Sequence, residues 1–154
     1  MRIRTAKSRS PKVKLSLNWM KCGTSYTQKN KLWIWKAYCR TTGELIDWEL
    51  GDRSSETLWK LTARLAEYKV TVYFTDHYKG YSELIPPELL IQTKAETHGI
   101  ERNNSQQRHW FARFRRRTCV VSHSVEMVDL TTALFAWFHS KAGKRKLFDL
   151  RFVA

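Results

Sequence analysis

Asp76, Glu101 and Arg108 are the residues whose types and spacing suggest chemistry. Asp76 closes the apolar run Lys69–Thr75, Glu101 opens the segment Ile100-Glu101-Arg102-Asn103-Asn104, and Arg108 follows seven residues later, two helical turns along the same face. In an α/β sheet, groups at the C-terminal ends of strands and at the adjoining helix starts converge on the ligand crevice. On the plainer reading, Thr75-Asp76 is a strand-ending turn and Glu101 a carboxylate favoured by the positive end of a helix. If the two acids meet, they repel and raise each other's pKa unless a cation lies between them, and Mg²⁺ is the economical choice. Metal-assisted phosphoryl transfer follows, in which two ions roughly 3.5–4 Å apart serve the attacking and leaving oxygens. Holding both ions takes a third acid. Glu44, Asp47, Glu49, Asp52 and Glu96 are present, but each reads most simply as a solvated charge.

The run Arg113, Arg115, Arg116 and Arg117 interleaves with His109, Trp110, Phe111 and Phe114, a mixture suited to phosphate contacts and base stacking. Lys and Arg outnumber Asp and Glu by 28 to 14, and the net charge of +14 calls for a polyanionic partner, nucleic acid before an anionic membrane surface. The five histidines show neither HxxxH nor HExxH spacing, and Cys22, Cys39 and Cys119 form no CxxC pair. The cysteines are read as packing residues or reduced thiols. No run reaches the roughly 18 apolar residues of a membrane span, and Met1 to Lys14 is basic without the apolar stretch of a signal peptide, so a cytoplasmic location is expected.

The elements that must position these groups are legible in outline. Leu32 to Cys39 is aromatic-rich and β-prone, Thr41-Thr42-Gly43 is a turn, and Glu44 to Leu50 completes a hairpin. Asp52 or Ser54 caps a helix carrying Leu58, Leu61 and Leu65 and ending near Tyr68. Lys69–Thr75 reads as a buried strand, and Leu89–Thr93 as a second, parallel one. Two long helical patterns follow. The first runs from about Gly99 to Arg116 with Ile100, Gln107, Phe111 and Phe114 approximating one face; the second starts at Ser124 and carries Met127, Leu130, Leu134, Trp137 and Phe138. That order predicts an α/β fold with a mixed sheet, in a length that suits one core.

Taken together, Trp33-Ile34-Trp35-Lys36-Ala37-Tyr38, Thr42-Gly43-Glu44, Gly51-Asp52-Arg53, Tyr73-Phe74-Thr75-Asp76 with Tyr81, and Ile100-Glu101-Arg102-Asn103-Asn104 resemble the IS-one family of DDE transposases, from about Lys31 to His139. The resemblance implies an RNase H-like mixed sheet flanked by helices. It also implies Asp76 and Glu101 as the second and third metal-binding carboxylates for Mg²⁺ or Mn²⁺, and Arg108 as the basic residue after the glutamate. The 24 residues between Asp76 and Glu101 match the family's short interval. The resemblance implies cleavage of element ends and their joining to target DNA in transposition and recombination, with a bacterial, nucleoid-associated location expected and a homo-oligomer on DNA left open. Arg102 and Asn104 then join Arg113, Arg115, Arg116 and Arg117 as candidate DNA contacts.

The family's first catalytic aspartate lies shortly before the Trp-x-Trp strand, where this chain has Asn18-Trp19-Met20-Lys21-Cys22-Gly23. No aspartate is present there, and no acid precedes Glu44. The stretch must be encoded by AAY TGG ATG AAR TGY GGN, which, read from its third base, gives Leu-Asp-Glu, then Val or Met, then Trp or Arg. The hidden aspartate codon straddles Trp19 and Met20, about 14 positions ahead of Trp33 where the motif places it. Residues up to about Gly23 are therefore read as translated out of the ancestral frame. Leu15–Met20 would then stand in for the central strand, with enough apolar residues to form one and its register left open.

The chain divides, on this reading, into a basic, degenerate N-terminal segment (1–30), an RNase H-like catalytic domain (31–140) and a basic C-terminal tail (141–154). The DNA-binding module that relatives carry upstream has no counterpart, so recognition of element ends is expected to need another chain. With one metal ligand missing, cleavage and joining are expected to be lost. The alternatives are a non-enzymatic DNA-binding remnant, held by Arg113, Arg115, Arg116, Arg117, Lys141, Lys144, Arg145 and Lys146, or a basic RNA-binding protein.

Overall fold

Strand β1 (Val13–Thr27) runs through the middle of a five-stranded sheet of order β3-β2-β1-β4-β5, in which β2 is Asn30–Cys39, β3 Glu44–Gly51, β4 Val70–Thr75 and β5 Leu90–Gln92. This computed structural model describes residues 13–27, 30–115, 122 and 124–151; for residues 13, 18–27, 30, 31 and 147–151 it describes the backbone alone. β1 pairs antiparallel with β2 (Asn18 opposite Lys36, Trp19 opposite Trp35) and parallel with β4 (Ser16 opposite Phe74, Leu17 opposite Thr75). The stretch Asn18–Gly23 is thus part of a continuous central strand, and Leu15–Met20 does form it.

The hairpin forms because the Leu32–Cys39 run alternates faces with period two. Trp35, Ala37 and Cys39 enter one buried cluster with Leu15, Leu17, Tyr73 and Tyr81, while Ile34 enters a second with Leu45, Trp48, Phe114 and Val128. Gly43 turns the corner at φ +74°, a left-handed conformation that favours glycine. Helix α1 (Ser55–Leu65) covers the first face with Leu58, Leu61 and Leu65, all fully buried, and Ser54 caps it by accepting the Thr57 backbone N–H at 3.2 Å. The short α2 (Gly80–Leu84) adds Tyr81, whose ring meets Trp35 edge-on at 6.0 Å. The second face carries α3 (His98–Trp110) and α4 (Val125–His139), and α5 (Lys141–Arg151) closes the described chain. A mixed five-stranded sheet with helices on both faces is the α/β architecture expected, consistent with an RNase H-like fold.

Two sequence expectations need correction. The helix expected to reach Arg116 ends at Trp110: Phe111 is extended (φ −123°, ψ 112°), and a 3₁₀ turn over Ala112–Phe114 buries Phe114. Of the apolar residues expected on the second helix, Met127, Leu130 and Leu134 are exposed, and Val128, Thr132 and Phe135 face the core. Within the basic C-terminal segment, Lys141–Arg151 forms a helix, a point on which the sequence expectation is silent. Among the described residues, no helix is long and apolar enough to cross a membrane.

Candidate functional site

Asp76 is the first residue beyond β4, at the C-terminal end where a crevice residue belongs. Its Oδ1 accepts the Tyr78 backbone N–H at 3.1 Å, and Gln92 Nε2 donates to its carbonyl at 3.3 Å, tying the end of β4 to β5. Burial pushes the Tyr81 hydroxyl well above its ordinary pKa, and the charge of Asp76 adds to that.

Helix α3 brings the second acid. Its start is anchored over β1 and β4, where Ser16 Oγ donates to the Glu96 carbonyl at 3.4 Å and Arg40 stacks 4.3 Å above the Phe74 ring while pairing with Glu96. Its middle is anchored over β2, where Lys36 Nζ donates to Asn103 Oδ1 at 3.1 Å and to Gln107 Oε1. Glu101 lies between these anchors, in the first turn of α3. At 100° per residue, Glu101, Asn104 and Arg108 share the flank of α3 away from Asn103. Glu101 is exposed, with Oε1 3.5 Å from Thr97 Oγ1, and Arg108 is half-buried. Among the described residues, no hydrogen bond or ion pair joins Asp76 to Glu101.

A two-ion centre needs more acid than this. The described residues contain no group of three His, Cys, Asp or Glu side chains able to hold a metal. On the neighbouring strand Leu17 pairs with Thr75, the residue before Asp76, and no residue of β1 is acidic. The residues present do not fit a two-ion centre.

The other acids are not simply solvated. Asp47 and Glu49 both bind the Arg64 guanidinium, at 2.7 Å (Nε to Oδ2) and 2.5 Å (Nη1 to Oε2). Burial alone would lower the Arg64 pKa, but these bonds and charges raise it. Asp52 accepts from Ser54 and Thr57, which hold its carboxyl below the usual range, and Glu44 accepts the Lys141 backbone N–H at 2.7 Å. All five acids serve structure.

Of the candidate DNA contacts, Arg102 and Arg115 are exposed and Arg113 is half-buried, its Nη1 donating to Ser122 Oγ at 3.2 Å. Asn104 is buried, and its Oδ1 has no hydrogen-bond partner. Arg116 and Arg117 lie outside the described residues, as does Cys119, while Cys39 is buried and reduced. Trp110 is 67% exposed at the end of α3.

Sequence reasoning missed Lys36. It is fully buried, with its ammonium 5.8 Å from the Phe135 ring centroid, and Gln107 continues the polar chain to Thr132 at 3.2 Å. The signal was available in the period-two pattern, which puts Lys36 on the same face as Ile34.

A mixed five-stranded sheet with helices on both faces, an acid after the fourth strand and another in the first turn of α3 places the chain among α/β proteins with an RNase H-like arrangement. The family model described as IS1 transposase matches residues 13–140, and the chain belongs to that family of insertion-sequence transposases. The chain is 31% identical over 107 residues to the Insertion element iso-IS1n protein InsB of Shigella dysenteriae, covering 70% of this chain and 82% of that protein. It is 32% identical over 97 residues to the Insertion element IS1 protein InsB of Shigella flexneri, covering 63% and 74%. To the Insertion element IS1 2 protein InsB of Escherichia coli K12 it is 31% identical over 97 residues, covering 63% and 58%.

Proposed function

We propose that this transposase-family chain keeps the fold and the DNA-binding surface of a catalytic domain whose relatives carry out metal-dependent cleavage and strand transfer, and that it has lost that chemistry. One observation carries the reading: β1 runs beside the end of β4, Leu17 pairing with Thr75, and the sequence of β1 contains no acid where a two-ion centre needs an anionic ligand. Asp76 and Glu101 remain as two carboxylates for Mg²⁺ or Mn²⁺, with Arg108 beside them, but two acids do not fix two ions against the in-line geometry of phosphoryl transfer. DNA binding rests on phosphate neutralisation by exposed cations, with Arg102 and Arg115 among them and a net charge of +14 behind them.

The test uses purified protein with supercoiled plasmid and with DNA carrying the element's ends, in Mg²⁺ or Mn²⁺. The expected result is salt-sensitive binding without nicking. Robust Mg²⁺-dependent nicking that disappears on Asp76→Ala would sink the proposal, since the site would then work without an acid on β1. Preference for structured RNA over DNA would favour the RNA-binding alternative instead.

A further inference from the structure

Helix α4 is apolar on two sides, and among the described residues only one of them is covered. Val128, Thr132 and Phe135 turn inward against the sheet, while Met127, Leu130 and Leu134, at intervals of three and four residues, form an outward stripe that is 48%, 58% and 47% exposed. Half-buried Trp137 and Phe138 extend the stripe toward the C-terminus. A helix hydrophobic all round belongs in an interior.

Charge selects what covers it. No Lys or Arg occurs between Arg117 and Lys141, in a chain that carries 28 of them. Two copies at +14 each repel over most of their surfaces, and this band is where they can approach with least cost. The acid nearest the stripe's middle, Asp129, turns its Oδ1 inward to Trp48 Nε1 at 2.7 Å. The charges that remain lie at the two ends and are opposite: Glu126 is exposed at the N-terminal end, and Lys141, Lys144 and Arg145 are exposed just past the C-terminal end. Helix α4 itself offers a nucleic acid no Lys or Arg.

We propose that the outward face of α4 is the surface through which two copies of this chain associate, with the helices antiparallel about a two-fold axis near residue 132. In that arrangement Leu130 of one copy meets Leu134 of the other, Met127 meets Trp137, and Glu126 reaches Lys141, each contact occurring twice as an isologous interface requires. A 15-residue helix is about 22 Å long, and its face alone covers less than the roughly 800 Å² per partner of a standard stable complex. The interface therefore belongs to the small, transient class.

The test is sedimentation equilibrium of the whole, nuclease-treated chain from about 1 to about 200 µM, a range that brackets such an interface, in enough salt to suppress bridging by residual nucleic acid. Doubling of mass across that range is expected. Leu130→Glu with Leu134→Glu should leave a monomer throughout with unchanged circular dichroism, because both side chains point away from the core. Glu126→Lys should weaken the dimer several-fold, and adding Lys141→Glu should recover it. A chain that is monomeric at the highest concentration, or a dimer that persists in the Leu130→Glu, Leu134→Glu variant, overturns the proposal. Neither result depends on whether the chain cleaves DNA.

Discussion

Replacing Arg64 with Met should cost the protein about 3 kcal/mol, and the estimate can be built from its contacts. The guanidinium makes four hydrogen bonds: two to Asp47 at 2.7 and 3.3 Å, one to Glu49, and one to the Trp48 carbonyl at 2.9 Å. Bonds to charged groups contribute roughly 1.5–3 kcal/mol each when buried, but these side chains retain 15–30% exposure, so water compensates part of the loss. The two carboxylates left behind sit two residues apart on β3, about 6.6 Å. At an effective dielectric of about 20 they repel by roughly 2.5 kcal/mol, and by less where water reaches them. Breaking a fully buried pair costs about 3–5 kcal/mol and an exposed pair up to about 1, so about 3 is expected here. At about 2–4 °C per kcal/mol for a domain of this size, Tm should fall by roughly 6–12 °C at pH 7. Urea titration and calorimetry measure this directly. Adding Asp47→Asn and Glu49→Gln to Arg64→Met should recover part of the loss, because the repulsion disappears. A loss below about 1 kcal/mol would refute the reasoning and show the cluster to be an ordinary surface ion pair.

Ser54→Ala removes the α1 cap and should cost about 1 kcal/mol, read by the same denaturation; no loss would mean that Asp52 caps the helix alone. Asp52 has a folded pKa below its ordinary value of 3.8, so it contributes stability that is present above that value and lost as pH falls through the folded one. Asp52→Asn should therefore flatten the acid side of the stability profile, and an unchanged profile would remove the carboxylate from the cap. Gly143→Ala should destabilise by about 1–3 kcal/mol, because a Cβ there would lie 2.0 Å from the Trp137 carbonyl oxygen, which is backbone and cannot step aside. A stable Gly143→Ala variant would mean that α5 can shift relative to α4.

Where the sequence predicted the fold, one periodicity dominated. The hairpin, α1 and β4 each carry a single apolar pattern with a clear cap or turn, and each forms within a few residues of its expected bounds. Helix α4 was different, because apolar residues lie on both of its sides and periodicity alone cannot say which side faces the sheet. Thr132 is buried there while Leu130 is 58% exposed, since Thr132 bonds Gln107 and the Val128 carbonyl. The break at Phe111 was hidden inside a cationic run that reads as helix until Phe114 is seen turning back into the core. Asp47 and Glu49 looked solvated because their partner lies 15 to 17 residues away on α1, a contact that local patterns do not report. The positions of Asp76 and Glu101 were legible from strand and helix ends, whereas which part of β1 runs beside the end of β4 required the β1–β4 register.

The bonds that hold this fold and the groups that would do its chemistry are largely separate. The Arg64 cluster seats α1 on the hairpin, the Lys36–Gln107–Thr132 chain seats α3 and α4 on the sheet, and Trp35 Nε1 donates to the Asp52 carbonyl at 2.9 Å to fix the end of β3. Asp76 contributes local turn and β5 contacts, and Glu101 reaches only Thr97 through its described side-chain bonds. Losing an acid beside them removes a metal ligand and one source of repulsion, without breaking any of the three structural connections. The loss of the first carboxylate proposed above therefore leaves these connections in place, and on that reading DNA binding and cleavage are separable.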